Sequence, residues 1–171
     1  MNYMEIKYNN IGNGVGVRTS LFVSGCSHRC KGCFNYEAWD RHSGQPYTEE
    51  IEKQILDSLS KPWVAGLTLL GGEPMMPYNV TALIHLCQQV RELFPEKTIW
   101  VYSGWTYEQL IQMPHQFELL KLCDVLVDGK FDIDLFSPKL YFRGSSNQRI
   151  IKVQETLETG SIVLHEKNNV I

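Results

Sequence analysis

The sequence predicts an α/β fold in which parallel strands alternate with helices. Short, uninterrupted apolar runs and segments with helical spacing follow one another along the chain, as in a sheet that helices cover. Such alternation leads to parallel pairing through right-handed crossovers. The chain has 171 residues, whereas a complete eight-unit barrel needs about 250. We therefore expect a single domain, 1–171, built as a partial, open β/α barrel or as a small doubly wound sheet.

Four strands are predicted before residue 130. Each is a short run rich in β-branched, aromatic or other apolar residues, and the runs are RTSLFV (18–23), GLTLL (66–70), TIWVY (98–102) and CDVLVDG (123–129). Further along the chain the pattern predicts only short strands, at LYF (140–142), RIIKV (149–153) and SIVLHE (161–166).

Three helices are predicted between these strands. The first spans residues 48–59, where Thr48 can serve as the N-cap and apolar residues follow at helical spacing. The second spans residues 79–94 and carries its apolar residues on one face. The third spans residues 107–122, but Pro114 must break or kink it, because proline has no N–H to donate within a helix.

The segments that follow the four strands have a common character, since each contains glycine and most contain a polar residue. They are SGC (24–26), GGEP (71–74), SGW (103–105) and DGK (128–130). Ligands of α/β proteins bind at the carboxyl ends of parallel strands. We therefore expect these segments to meet at one rim and to form the functional site.

Composition limits the partners that the protein can have. The net charge is −3, so the overall charge does not favour nucleic acid or anionic lipid. No apolar run approaches the ~18 residues of a membrane helix, and the N-terminal MNYMEIKYNN lacks the apolar core of a signal peptide. These features predict a cytoplasmic protein with neither a nucleic-acid partner nor a membrane partner. In that reducing compartment, clustered cysteines are typical of metal or redox sites rather than of disulfides.

Three of the five cysteines fall within the segment CSHRCKGC. Cys26, Cys30 and Cys33 can fill three corners of a metal site. A structural zinc ion would require a fourth protein ligand. A [4Fe–4S] cluster held by three thiolates would instead leave one iron open to an external ligand.

The remaining candidates for a fourth ligand are His28, Cys87 and Cys123. Cys87 lies in a helical pattern and Cys123 at the start of a strand, and cysteines in such places behave as small apolar side chains. His28 and Arg29 are expected to face solvent.

The cysteine motif C-x3-C-x2-C, followed by Phe34 and by GGEP at the end of the second strand, resembles that of the radical S-adenosylmethionine (SAM) enzymes. Four longer stretches are similar to the family of anaerobic ribonucleoside-triphosphate reductase activating proteins, namely NGVGVRTSLFVSGCSHRCKGCFN (13–35), LTLLGGEP (67–74), DVLVDGKF (124–131) and FRGSSNQRII (142–151). RGSSNQRI and the short chain distinguish it from the pyruvate formate-lyase activases. The resemblance covers about residues 8–153, implies a barrel of the radical SAM type, and leaves 154–171 unassigned.

The resemblance also implies a ligand set. Cys26, Cys30 and Cys33 would ligate three irons of a [4Fe–4S] cluster, and SAM would chelate the fourth iron through its amino and carboxylate groups. The positions implied to bind SAM are Gly32, Cys33, Phe34, Gly71, Gly72, Glu73, Pro74, Asp128 and Lys130.

These positions have different implied roles. The carbonyls of the GGEP segment and the Glu73 carboxylate would accept from the SAM ammonium, since a partly buried amine requires acceptors. Lys130 would pair with the SAM carboxylate. Asp128 would bind polar groups of the cofactor or a cation, with a solvated Asp-Gly-Lys turn as the alternative.

Two other features of the sequence allow more than one interpretation. Arg143, Asn147, Gln148 and Arg149 form a polar loop that contacts either a partner or the cofactor, or else is simply solvated. Trp105 is either a core residue or a stacking partner for adenine.

The function implied by the resemblance is that of a glycyl-radical-enzyme activase. An electron from a low-potential donor such as flavodoxin would cleave SAM to a 5′-deoxyadenosyl radical, which would generate a glycyl radical on the large subunit of anaerobic ribonucleoside-triphosphate reductase. Three alternatives remain: an activase of another glycyl-radical enzyme, a non-catalytic iron–sulfur protein for electron transfer or sensing, and a zinc-stabilised binding module.

Overall fold

The computed structural model describes residues 1–168. In this part of the chain, seven strands form one sheet with the order β3-β1-β2-β4-β5-β6-β7. The strands are β1 (Asn2–Asn10), β2 (Val17–Val23), β3 (Gln45–Pro46), β4 (Val64–Gly71), β5 (Thr98–Ser103), β6 (Val125–Asp128) and β7 (Arg149–Lys152).

The centre of the sheet is parallel and its edges are antiparallel. Strands β2, β4, β5 and β6 pair in parallel, whereas β1 runs antiparallel to β2 and β7 runs antiparallel to β6. The short strand β3 forms one edge and β7 the other, so the sheet is open. The predicted α/β fold with an open parallel sheet is thus confirmed.

Five α-helices occur in the described residues. They are α1 (Glu49–Leu59), α2 (Pro77–Leu93), α3 (Tyr107–Leu110), α4 (Pro114–Lys121) and α5 (Val153–Thr159). Thr48 is the N-cap of α1, as predicted, and its hydroxyl accepts from the N–H of Ile51 at 3.4 Å. The third predicted helix is divided into α3 and α4, because Pro114 occupies the first turn of α4, where its missing N–H is tolerated.

Four strand assignments need correction, and one of them is the two-residue strand β3, which was not predicted. The sequence analysis missed β1, whose residues are mostly exposed or half-buried and alternate with charged side chains. LYF (140–142) is a series of bends, and SIVLHE (161–166) contributes only an isolated bridge between Leu164 and Ile151. The second segment is joined to β7 by two backbone hydrogen bonds, from the N–H of Lys152 to the carbonyl oxygen of Val163 and from the N–H of His165 to that of Ile150, but it does not continue as a strand. RIIKV is correct for β7.

The two faces of the sheet are covered differently. Along β5, Ile99 and Val101 belong to a large core packed under α1, α2 and α4, whereas Trp100 belongs to a second, smaller cluster on the opposite face. The segment 161–168 covers part of this second cluster, since His165 packs edge-on against Trp100 with ring centroids 5.4 Å apart. The opposite face therefore keeps room for a cavity at the strand ends.

A fully buried arginine joins three strands near their amino ends. Arg18 on β2 donates to the carbonyl oxygen of Leu67 at 2.7 Å and to the hydroxyl of Thr68 at 2.7 Å, both on β4. It also donates to the carbonyl oxygen of Thr98 on β5 at 2.8 Å. Burial lowers the pKa of Arg18 to about 10, so the guanidinium stays protonated at neutral pH.

No helix of residues 1–168 combines the length and the apolar character that crossing a bilayer demands.

We expect Arg18→Met to lower the free energy of unfolding by at least about 3 kcal/mol, because several buried acceptors on β4 and β5 lose their donor. Urea unfolding monitored by circular dichroism measures this change. Lys53→Met is the control, since Lys53 is exposed on α1, and it should change the free energy by less than about 0.5 kcal/mol. Equal, small effects of both variants would contradict the role assigned to Arg18.

Candidate functional site

The ends of the parallel strands surround a cavity of about 610 Å³. Its walls come from β1 and the loop after it, from the loop after β2, from the segments that end β4, β5 and β6, and from the loop before β7. The lining residues that carry the argument are Cys26, Cys30, Cys33, Gly71, Gly72 and Glu73. The structure therefore brings the three clustered cysteines and the GGEP segment together at one rim.

The cysteine loop leaves β2 at a tight turn that depends on glycine. Gly25 has a φ of +92°, and a Cβ there would lie 2.3 Å from the hydroxyl oxygen of Tyr78. Its N–H donates to the carbonyl oxygen of Ala38 at 2.6 Å, and the N–H of Cys26 donates to that of Trp39 at 3.0 Å. These bonds fix the base of the loop and direct Cys26 toward the cavity.

The donor set fits an iron–sulfur cluster better than a single metal ion. Cys26, Cys30 and Cys33 are free, half-buried thiols on the same cavity. Within residues 1–168, no three His, Cys, Asp or Glu side chains converge on a point where one ion could bind. Tetrahedral zinc requires such convergence, whereas the thiolates of a [4Fe–4S] cluster bind different irons and stay apart.

Burial keeps the thiols of Cys26 and Cys30 protonated when no metal is bound. Burial raises the pKa of Cys26 to about 11 and also raises the pKa of Cys30. Both groups are therefore neutral thiols at pH 7 in the metal-free chain. Iron would displace their protons and relieve the cost of burying the charged form.

The other two cysteines are confirmed as apolar core residues. Cys87 on α2 and Cys123 before β6 are fully buried in the large core. The thiol of Cys123 donates to the carbonyl oxygen of Leu119 at 3.3 Å. Neither residue lines the cavity, so the site draws its thiolates from one loop.

The Glu73 carboxylate is buried, with 1% of its side chain exposed, and it accepts three hydrogen bonds from the chain itself. One oxygen accepts from the N–H of Met75 at 2.9 Å. The other accepts from the N–H of Gly104 at 2.7 Å and from Nε2 of His28 at 2.8 Å. Glu73 thus connects the end of β4 to the end of β5 and to the cysteine loop.

The expectation that His28 faces solvent is wrong, whereas Arg29 is exposed as expected. The His28 side chain is only 6% exposed, and its ring packs edge-on against Trp105 with centroids 4.4 Å apart. The ring also lies against Gly104, where a Cβ would be 2.5 Å away. Sequence reasoning missed this because Glu73 and Gly104 are distant in the chain.

The two glycines of the GGEP segment allow β4 to approach the cysteine loop. Gly71 has a φ of +108°, and a Cβ at Gly72 would lie 2.6 Å from the carbonyl oxygen of Gly25. The N–H of Glu73 donates to that same oxygen at 2.8 Å. Pro74, which follows, is buried and does not line the cavity.

Asp128 and Lys130 line a neighbouring cavity of about 490 Å³, which shares Gly104 and Gly129 with the first. Asp128 is buried and forms an ion pair with Arg149. Its Oδ2 also accepts from the N–H of Tyr107 at 2.8 Å.

The rest of this neighbouring cavity is strongly charged. Arg149 also pairs with Glu108 at 2.8 Å, and this contact lowers the pKa of Glu108 to about 2. Lys130, in contrast, is exposed, and the described residues offer it no carboxylate partner. Its ammonium group is therefore available to a ligand.

The polar loop 143–149 is held against the end of β6. Gln148 donates to the carbonyl oxygen of Gly129 at 2.9 Å, and Asn147 donates to that of Lys130 at 2.8 Å. Arg143 lines the first cavity and donates to the carbonyl oxygen of Gln148 at 2.5 Å. The loop is therefore an ordered wall of the site.

An aromatic cluster at the cavity was missed by sequence reasoning. Phe34 packs with Phe131 and Phe136, with ring centroids 5.2 and 5.7 Å away, and Phe34 is 67% exposed. The density of aromatic residues in FDIDLFSPKLYF (131–142) is a signal that could have located it.

An α/β sheet that presents three free cysteines at its strand ends defines the class of the protein, which is that of iron–sulfur cluster domains. In agreement, the family model described as "4Fe-4S single cluster domain" matches residues 12–151.

Several curated relatives carry the same name, anaerobic ribonucleoside-triphosphate reductase-activating protein. A relative from Pasteurella multocida (strain Pm70) is 42% identical over 154 residues, which cover 89% of this chain and 98% of the relative. The relative from Escherichia coli (strain K12) is 44% identical over 150 residues, which cover 86% and 96%. That from Enterobacteria phage T4 is 42% identical over 150 residues, which cover 88% and 93%. The chain belongs to the family of anaerobic ribonucleoside-triphosphate reductase-activating proteins.

We expect Cys30→Ala to abolish cluster assembly, because it removes one of three thiolates on the cavity. Iron and sulfide are measured after anaerobic reconstitution. Cys87→Ala is the matched control, since Cys87 is a free cysteine buried in the core, and it should retain nearly all of the wild-type iron. A severe loss of iron in the Cys87 variant would mean that the ligand set is different.

Proposed function

We propose that this protein activates anaerobic ribonucleoside-triphosphate reductase by cleaving SAM at a [4Fe–4S] cluster held by Cys26, Cys30 and Cys33. The observation that carries the proposal is the shared cavity of these three cysteines and the GGEP segment. Cys87 and Cys123 lie in the core, so this donor set leaves one iron without a cysteine. The relatives are named as activators of this reductase.

We assign the SAM ammonium group to the backbone carbonyls at Gly71 and Gly72, with Gly32, Cys33 and Phe34 beside the cofactor. The glycines leave the backbone open to close approach. Glu73 supplies negative charge at this place, but its oxygens already accept from three donors of the chain. Its direct contact with the ammonium group is therefore secondary to that of the carbonyls.

The neighbouring charged cavity supplies the remaining cofactor contacts. Lys130 pairs with the SAM carboxylate, because its ammonium group is exposed and available. Asp128 forms an ion pair with Arg149. It therefore binds polar groups of the cofactor, or a cation, together with the Arg149 guanidinium. Pro74 acts by fixing the turn that presents the carbonyls.

Cys26, Cys30 and Cys33 would hold the cluster, which when reduced would supply the electron that splits SAM into methionine and a 5′-deoxyadenosyl group able to take hydrogen from a glycine of the partner. The chain itself holds the cofactor, excludes water from the cavity floor and leaves the mouth accessible to a polypeptide loop. The partner is the large subunit of the reductase, and the electron comes from a low-potential donor such as flavodoxin. Five free cysteines agree with action in the reducing cytoplasm.

Anaerobic reconstitution followed by chemical reduction tests the proposal. With SAM present, we expect methionine and 5′-deoxyadenosine in equal amounts, and a glycyl radical signal in electron paramagnetic resonance (EPR) once the large subunit is added. A cluster whose spectrum is unchanged by SAM would support a non-catalytic iron–sulfur protein instead. A glycyl radical on a different glycyl-radical enzyme, and none on the reductase, would identify a sister activase.

We expect Lys130→Met to weaken SAM binding by about tenfold or more, the loss typical of one charge-assisted hydrogen bond. The measurement is a SAM titration of the EPR spectrum of the reduced cluster. Lys139→Met is the control, because Lys139 is exposed and lines neither cavity. Identical affinities for both variants would remove Lys130 from the cofactor site.

A further inference from the structure

We infer that His28 is a positioning residue, which uses its hydrogen bond to Glu73 to fix the middle of the cysteine loop to the strand ends. In this position it sets the arrangement in which Cys26 and Cys30 meet the iron–sulfur cluster. The inference rests on the cluster ligands assigned in the proposed function. It adds a residue that acts on the cluster through the two cysteines that flank it.

The first support is the place of His28 within the loop. It lies two residues from Cys26 and two from Cys30, and its Nε2 donates to the Glu73 carboxylate at 2.8 Å. The base of the loop is already fixed by backbone bonds from Gly25 and Cys26. His28 adds a polar link from the middle of the loop to the sheet.

The second support is the strength of that link. The side chains of His28 and Glu73 are 6% and 1% exposed, so water does not compete for the bond. The accepting oxygen is also held by the N–H of Gly104 at 2.7 Å. Loss of the histidine donor would leave a buried carboxylate with a lone pair unsatisfied, which is costly.

The third support is packing that fixes the orientation of the ring. Trp105 contacts the ring edge-on, with centroids 4.4 Å apart, and Gly104 lies so close that a Cβ would be 2.5 Å away. A rigid cluster requires its ligands at fixed relative positions. Neighbouring residues can maintain those positions only if their own side chains have a fixed orientation. His28 meets this requirement through one hydrogen bond and two packing contacts.

Two substitutions separate the hydrogen bond from the packing. His28→Phe keeps a flat ring against Trp105 but cannot donate to Glu73. His28→Gln places an amide nitrogen near the position of Nε2 and can donate. The control is His85→Phe, because His85 pairs with Glu52 at 2.9 Å but is 62% exposed on α2.

Each variant is reconstituted with iron and sulfide as the full chain, and the rate of iron loss to a chelator is measured together with the EPR spectrum of the reduced cluster. We expect iron loss about tenfold faster in H28F, the effect of one buried charge-assisted hydrogen bond, with a broadened EPR signal. H28Q should stay within about threefold of wild type, and H85F should equal wild type.

The results distinguish this inference from the proposed function. H28F that equals wild type in both measurements overturns the inference, and so does H28Q that is as impaired as H28F. Gly104→Ala, which displaces the ring without removing it, should match H28F and provides the comparison with H28Q if H28F fails to fold. A wild-type protein that holds its cluster but never cleaves SAM would overturn the proposed function alone, since neither measurement depends on cleavage.

Discussion

The site depends on the three hydrogen bonds that the buried Glu73 carboxylate accepts. A buried negative charge is tolerated only when hydrogen bonds replace the water it has lost, and here the replacements come from Met75, Gly104 and His28. Those donors belong to three separate places: the turn after β4, the end of β5 and the cysteine loop. Satisfying one charge therefore brings these places together. The two glycines before Glu73 make this possible, because they let the backbone of β4 come against the base of the loop.

The open sheet determines where such a site can form. Helices cover one face with a large core, while the opposite face carries only a small cluster around Trp100. The four parallel strands have their carboxyl ends at the same rim, and antiparallel strands flank them on both sides of the sheet. The segment 161–168 lies over part of the small cluster, which gives a role to part of the tail that sequence comparison left unassigned. Space for a cofactor remains at the rim.

Much of this architecture is encoded locally and was predictable. Parallel strands covered by helices can be recognised in the sequence as continuous apolar runs. Thr48 predicts the start of α1, and Pro114 predicts the break between α3 and α4. The spacing of Cys26, Cys30 and Cys33 also indicates a shared metal site without any structure. What was missed depends on contacts between distant residues. β1 is a half-exposed strand between β2 and the short strand β3, and its pairing is not visible in its pattern. The burial of His28 depends on Gly104, about 75 positions away.

The separation of the five cysteines into two environments has a consequence for damage and repair. Three thiols are half-buried on one loop, whereas Cys87 and Cys123 are sealed in the core. If oxidation strips the metal, oxidants reach first the three thiols that lie within eight residues of each other, because Cys87 and Cys123 are buried. The thiols of the core are protected from this event by their burial. Where the oxidation stops at a disulfide on this loop, a small reductant returns the thiols to a form that accepts iron again.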